Sequence, residues 1–316
     1  MKILVTGAAG FIGSHLAERL AGAGHTVDGL DCLTDNYARG LKELNVRDLR
    51  ARGVRVLPLD LAADDLQAAV RDAEVVYHLA AQPGLSDATP FATFERNNVL
   101  ATFRLLEAVR NSASLRLFVN ISTSSVYGAN ATGNESSEPC PTSHYGVTKL
   151  AAEQLVLALS RDRGLPACSM RLFSVYGPRE RPEKLYPRLI RAILEGTEFP
   201  LFEGSENHLR SYTYVGDIVD GLVAPLSLVD RCAGQIFNLG CDTAITTGEG
   251  IRIVEKIIGT PARIVTRPRR PGDQLTTHAD IGKARQVLNY DPRTAAEAGL
   301  AREVEWYRTR VAGKTS

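Results

Sequence analysis

The chain opens with Met1-Lys-Ile-Leu-Val-Thr-Gly7-Ala-Ala-Gly10-Phe-Ile-Gly13, an aliphatic run that passes directly into glycines spaced three apart. A buried strand that turns on glycine and continues as a helix leaves the first helical amides unpaired and no side chain in front of them. Such an end receives an anion, and glycine lets the backbone close on a pyrophosphate. Strand, glycine turn and helix in that order commit this part of the chain to a parallel α/β layer.

The rest of the first half keeps the same rhythm. Short Val/Ile/Leu runs at Ile3–Val5, Thr26–Leu30, Val54–Leu59, Val75–Leu79 and Leu117–Ile121 alternate with longer amphipathic stretches, which predicts a doubly wound parallel sheet. Ala167–Leu172 adds a strand and Ile236–Leu239 returns to the sheet. Gly40–Arg52 is read as a helix whose basic residues face solvent. Tyr176–Pro187 and Glu198–Glu206 are expected to be loops, and Thr246–Ile258 and Arg293–Arg310 helices of a smaller C-terminal lobe.

At 37 basic against 36 acidic residues the chain carries a formal charge of +1, so it has no overall field for nucleic acid or an anionic membrane surface. The cluster Arg267-Pro-Arg269-Arg270 lacks the interleaved aromatics of a nucleic-acid site. No apolar run is long enough to span a bilayer, and a cytoplasmic protein is expected. Cys32, Cys140, Cys168, Cys232 and Cys241 are odd in number and show no C-x-x-C spacing, so they are expected as reduced packing residues, with neither disulfides nor a metal.

Chemistry is concentrated in Ser143-His-Tyr145-Gly-Val-Thr-Lys149, where Tyr and Lys stand one helical turn apart on one face. A phenol is a poor base at neutral pH unless a nearby cation stabilises its anion. Upstream, Asn120-Ile-Ser-Thr123-Ser124-Ser125-Val-Tyr-Gly128 is a strand leaving the sheet at its carboxyl end, where open α/β folds bind ligands. Asp31, ending the second strand, is placed to accept hydrogen bonds from a ribose and to repel a 2′-phosphate, which favours NAD over NADP. Arg39 is read as a loop residue without a phosphate role.

The glycine turn and the Tyr-x-x-x-Lys pair together resemble the extended short-chain dehydrogenase/reductase family of nucleotide-sugar enzymes, over nearly the whole chain. The resemblance implies a Rossmann-type domain over 1–172, with 214–242 returning to it, and a smaller UDP-sugar-binding lobe from 173–213 and 243–316. It implies NAD held tightly, resting as NAD⁺, by Gly7, Gly10, Phe11, Ile12, Gly13, Asp31, Asp60, Leu61, Leu79, Ala80, Ala81, Gln82, Asn98, Tyr145 and Lys149. His78 is read as structural. Catalysis falls to Thr123, which aligns the sugar hydroxyl, to Tyr145 as the base, and to Lys149, which lowers the tyrosine pKa and holds the nicotinamide ribose.

Dehydratase relatives carry Asp-Glu where this chain has Ser124 and Ser125, and decarboxylase relatives usually carry Glu at the second position, so simple 4-epimerisation is expected. The segment Arg171-Leu-Phe-Ser174-Val-Tyr-Gly-Pro-Arg-Glu-Arg181-Pro is similar to UDP-glucuronate 4-epimerases, with Arg181 offering a bidentate fork to the sugar carboxylate. An arginine often found in those enzymes beyond Gly84 is absent at Leu85-Ser86-Asp87. Leu201, Phe202, Arg210, Arg270 and Asp273 resemble UDP-contacting positions, and Ser124, Ser125 and Ser174 sugar-contacting ones. The family analogy also implies a homodimer through two long helices. Alternatives are a 4-epimerase of neutral UDP-glucose or UDP-N-acetylglucosamine, and a catalytically idle NAD-sensing protein.

Overall fold

In a computed structural model, described over residues 1–84, 89–268 and 276–312, the seven aliphatic runs lie side by side as parallel strands. They are β1 (Lys2–Thr6), β2 (Thr26–Leu30), β3 (Arg55–Leu57), β4 (Val75–His78), β5 (Leu117–Thr123), β6 (Ala167–Leu172) and β7 (Ile236–Leu239). Their order across the sheet is β7-β6-β5-β4-β1-β2-β3. The chain therefore builds outward from β1 in one direction, then crosses back and builds outward from β4 in the other. Between β1 and β4 the connections diverge, and a crevice opens at the carboxyl ends.

Both faces of the sheet are covered, which is why its central strands read as unbroken apolar runs. Ile3, Val5, Val75, Tyr77 and Val119 point to one face, beside Leu16 and Leu20 of α1 (Phe11–Gly22), Val46 and Leu49 of α2 (Arg39–Ala51) and Ile218 and Leu222 further on. Leu4, Val76 and Phe118, the alternate residues, point to the other face. There they meet Leu105, Leu106 and Val109 of α3 (Ala101–Val109) and Val156 of α4 (His144–Arg163). A third core lies apart from the sheet, where Leu189, Ile190 and Ile193 of α5 (Leu185–Glu195), Ile251 and Val254 of α6 (Thr247–Ile258), and Leu300 and Val304 of α7 (Ala296–Arg310) pack around Tyr176 and Tyr186.

Several expectations need correction. Glu198–Glu206 is not all loop: Glu198–Phe202 is a strand in parallel register with Arg263–Arg267, a pairing distant in sequence. Helix α5 begins inside the expected loop Tyr176–Pro187. Arg39 starts helix α2 and pairs with Glu43 at 3.0 Å on the exposed surface, but Lys42 on that helix is buried. All five cysteines are free, and only Cys168 and Cys232 are buried; Cys32 and Cys140 are exposed and fill no core.

Composition gives no hint of the ion pair at the centre of the molecule. Arg171 on β6 donates through Nε and Nη2 to both oxygens of Glu153 on α4, at 3.1 and 2.6 Å, and through Nη1 to the Tyr127 hydroxyl at 2.9 Å. That hydroxyl donates to Asn238 Oδ1 on β7 at 2.8 Å, and Ser169 donates to Glu153 at 3.1 Å. Helix α4 is thus tied to β6 and β7 through fully buried charge. Breaking such a pair leaves one charge uncompensated and costs about 3–5 kcal/mol. Arg171→Met should lose stability on that scale in urea denaturation, whereas Arg171→Met with Glu153→Leu should recover part of the loss.

Candidate active site

The crevice holds a cavity of about 420 Å³ whose floor is backbone. Gly7, Gly10, Phe11, Ile12 and Gly13 line one end, and the helix there begins at Gly10 with no side-chain cap, so its first amides stay open to an anion. A Cβ on Gly13 would sit 2.2 Å from the Gly7 carbonyl oxygen, and one on Gly7 would sit 2.8 Å from the Ala80 nitrogen. Side chains at either position would displace the floor. Asp31 stands at the end of β2, accepting from the amides of Ala9 at 3.0 Å and Leu33 at 2.9 Å, one on each oxygen. It braces the glycine turn while facing the cavity. Asp60, Leu61, Leu79, Ala80, Ala81 and Gln82 complete this part of the wall. A dinucleotide fits this surface: a glycine floor for the pyrophosphate, a helix N-terminus above it, and an acid for the ribose.

Thr123, Ser124, Ser125, Tyr145, Lys149, Ser174 and Arg181 share the other end of the same cavity. Thr123 caps a 3₁₀ turn, accepting from the Ser125 amide at 3.1 Å and donating to the Ser125 hydroxyl at 3.2 Å. Burial pushes the Tyr145 phenol above its usual pKa, against a hydrogen bond with Thr123 and the field of Arg181. The field of Arg181 thus reaches the phenol, and Lys149 stands on the same wall. Burial lowers Lys149 to about 8, partly offset by Glu153, and the charge of Lys149 also acts on His78.

Asn98 does not line the cavity; it holds the wall from behind. It lies on a π-helical turn, Glu95–Leu100, accepts from the Gln82 amide at 2.6 Å, and donates to the Gln82 carbonyl at 3.2 Å and the Thr148 hydroxyl at 3.0 Å. A second chain of bonds runs beneath it. Thr102 donates to the Asn98 carbonyl at 2.6 Å, so at 2.8 Å it accepts from His78 Nε2; Nδ1 then accepts from Thr6 at 2.9 Å, and Thr6 accepts from the Ala80 amide at 3.1 Å. Thr102 sets the proton on Nε2, and burial keeps the ring neutral, so Nδ1 is left to accept from Thr6. His78 is a structural residue as expected, but its work is to hold the cofactor wall.

Leu201, Phe202 and Arg210 lie on the strands Glu198–Phe202 and Leu209–Arg210 of the outer lobe and do not line the cavity. Arg270 and Asp273 fall outside the described residues, as do Leu85, Ser86 and Asp87. The cavity also takes in residues that no motif marks, among them Thr34, Asn36, Tyr37 and Lys42 after β2, and Glu180 and Lys184 beside Arg181. The Lys42 ammonium donates to the Thr34 carbonyl at 2.6 Å and to Asn36 at 2.7 Å, shaping the turn below Asp31. Only its burial distinguishes it from the exposed bases of the same helix. Among the described residues no cluster suits a metal ion, and no helix is long and apolar enough to cross a membrane.

An open parallel sheet with a glycine floor at its switch point, a ribose-facing acid, and Thr, Tyr and Lys on one wall defines a nucleotide-dependent enzyme of the short-chain dehydrogenase/reductase type. The profile of the NAD dependent epimerase/dehydratase family matches residues 3–240, and the chain belongs to that family. It is 36% identical over 319 residues to an uncharacterized UDP-glucose epimerase, YtcB, of Bacillus subtilis, spanning 99% of this chain and 100% of that one. It is 33% identical to UDP-glucuronate 4-epimerase 2 of Arabidopsis thaliana, over 97% of this chain and 76% of the relative. Among solved structures, the UDP-glucuronic acid 4-epimerase of Bacillus cereus in complex with UDP-glucuronic acid and NAD superposes with a TM-score of 0.92 at 37% identity, covering 98% of this chain and 99% of that one. MoeE5 in complex with UDP-glucose and NAD superposes with a TM-score of 0.87 at 36% identity, with the same coverage.

Burial first, and Lys149 second, lower the pKa of His78 to about 3. Between that value and the ordinary 6.5 the unfolded chain binds a proton that the folded chain refuses. The expected result is stability that falls as pH drops below about 6.5, by up to about 1.4 kcal/mol per unit from this residue. Denaturation midpoints from pH 7 to 4 should show a shallower fall in His78→Gln, and NMR should show the His78 ring uncharged throughout.

Proposed function

We propose that this chain is an NAD-dependent UDP-glucuronate 4-epimerase that yields UDP-galacturonate through a transient 4-keto sugar. The observation that carries the reading is Arg181, whose Nη1 is buried without a hydrogen-bond partner on the cavity wall shared with Tyr145, Thr123, Ser124, Ser125 and Ser174. A guanidinium with an unpartnered buried N–H group, beside a phenol and several hydroxyls, suits a sugar that carries both a hydroxyl to oxidise and a carboxylate. The Arabidopsis and Bacillus cereus proteins named for this reaction support it.

The geometry supports the following division of labour. Gly7, Gly10, Gly13 and Asp31 would hold the dinucleotide, which supplies the acceptor and donor of hydride at the sugar carbon. Thr123 orients the 4-hydroxyl and Tyr145 removes its proton, with Arg181 stabilising the phenolate. Lys149 is placed for the nicotinamide ribose. Ser124 and Ser125 offer neither acid nor base for loss of water. Oxidation at C4 makes a β-keto acid, which loses CO₂ most readily when its C5–carboxylate bond lies parallel to the carbonyl π system; Arg181, Ser174, Ser124 and Ser125 hold it away from that alignment. Within this reading 1–172 with 214–242 is the cofactor part, and the remainder, with Leu201, Phe202, Arg210, Arg270 and Asp273, takes the UDP-sugar.

A homodimer is also part of the proposal. Phe91, Leu100, Phe103 and Val147 are 46, 43, 47 and 45% exposed, and the rings of Phe91 and His144 meet at 5.3 Å, so large apolar side chains are offered to a partner from neighbouring helices. We assign the enzyme to the cytoplasm on the basis of its free cysteines and NAD chemistry.

Purified protein given UDP-glucuronate without added cofactor should form UDP-galacturonate, seen by NMR, and denaturation should release NAD(H). Tyr145→Phe should lower the rate by about 10²–10⁴ while keeping the cofactor; near wild-type turnover would remove Tyr145 from the role of base.

Arg181→Ala separates the acidic from the neutral substrate. A charge-assisted bond to the carboxylate is worth roughly 1.5–3 kcal/mol, about ten- to a hundredfold, and that loss should fall on UDP-glucuronate in addition to the loss of phenolate stabilisation, which both sugars share. Equal losses would favour the neutral-sugar reading, to which the name of the Bacillus subtilis relative points.

A further inference from the structure

Most of the buried side-chain polar atoms left without a partner among the described residues gather in one place: Tyr176 Oη, Glu180 Oε2, Arg181 Nη1, Tyr186 Oη and both oxygens of Glu303. Unsatisfied buried groups at this density call for a reason. Glu180 follows the bend after β6 and is 5% exposed; Glu303 projects from α7 and is 1% exposed. Their carboxyls lie against each other, and as carboxylates neither has a proton to donate to the other. Two buried carboxylates in contact cannot both be ionised, so at least one proton resides between them. Glu180 also lines the cavity, as do Arg181 and Lys184.

We propose that neutral Glu303 donates to Glu180, and that Glu180, set among Arg181 and Lys184, determines how strongly the site prefers an acidic sugar. A protonated Glu180 leaves both cations to the ligand. An ionised Glu180 competes for them. The inference rests on Arg181 as the reader of the sugar carboxylate, and it adds a proton-dependent selectivity to that role. Burial pushes Glu180 up to about 7, against the fields of Lys184 and Arg181, so this competition sets in within the physiological range. Burial and the neighbouring Glu180 push Glu303 well above the usual carboxylate range, which keeps the donor in place.

The other groups around Glu180 do not titrate in its place. Tyr176, Tyr186 and Tyr212 are all raised by burial and stay neutral. Tyr145 and Tyr37 across the cavity are raised likewise. Arg210 lies beyond Lys184, and Glu183 is exposed on the same loop. Lys42 lies on the far wall by Asp31. Lys149, near 8, overlaps the range, but its charge is felt by Glu153 and His78, away from Glu180.

The test is calorimetric binding of UDP-glucuronate and UDP-glucose to NAD-loaded enzyme carrying Tyr145→Phe, so that neither ligand turns over, from pH 6 to 8.5. The ratio of Kd values should be flat below about pH 7. Above it the ratio should move against UDP-glucuronate, at a limiting slope of about tenfold per pH unit. At pH 7.5, titrations in buffers of different ionisation enthalpy should show proton uptake with UDP-glucuronate and little with UDP-glucose. Adding Glu180→Gln should abolish slope and uptake; Glu303→Gln, which keeps a donor, should preserve both, and Glu303→Leu should move the midpoint upward. A flat ratio, a slope that survives Glu180→Gln, or failure of UDP-glucuronate to bind at any pH would overturn the proposal. Equal slopes for both ligands would place the charge of Glu180 against the diphosphate and overturn it too. The expected binding pattern, joined to absence of UDP-galacturonate from wild-type enzyme, would sink the epimerase reading alone.

Discussion

Where β1 and β4 part company the chain must keep a crevice free of side chains and still satisfy every backbone group in its walls. The rest of the molecule depends on that constraint. Glycine meets the first half of it, since a single Cβ on Gly13 would press into the Gly7 carbonyl. The second half is met from behind by polar residues that never enter the cavity. Asn98 holds Gln82, and Thr102, His78 and Thr6 carry hydrogen bonds on to Ala80. Because each donor in the chain has one acceptor, the wall has one arrangement, and a ligand laid against it finds its partners already in place.

Electrostatics in the crevice are organised by burial more than by net charge, which is close to zero. Arg171 and Glu153 neutralise each other one turn beyond Lys149, and they anchor the helix that carries Tyr145. Arg181 comes from the opposite side, on a bend that ends against α7, and its field reaches Tyr145, Tyr37 and Glu180. On the proposed reading, base and reader of the substrate's charge are linked: the group that would grip a sugar carboxylate would also stabilise the phenolate. Acid selectivity and basicity cannot be tuned separately in such a site.

Much of the architecture is legible in the linear chain because it depends on neighbours in sequence. A buried parallel strand needs a short aliphatic run, a tight phosphate-facing turn needs glycine, and Tyr145 and Lys149 share a helix face by spacing alone. Those features predicted the sheet, the glycine floor and the place of Tyr145 and Lys149 on the cavity wall. The strand at Glu198–Phe202 escaped, since its partner lies more than sixty residues away and its own residues alternate poorly. Lys42 escaped because nothing in a run of exposed bases says which one turns inward.

The sequence by itself determined the doubly wound sheet, the glycine floor and the helix face that Tyr145 and Lys149 share, each a matter of local spacing and residue type. Tertiary structure alone decided which charges face one another. The field of Arg181 reaches the phenol; Glu180 meets Glu303 across more than a hundred residues; and Asn98 supports the cofactor wall without touching the cavity. Burial and distance set the strength of a charge, and both arise only when remote segments pack together.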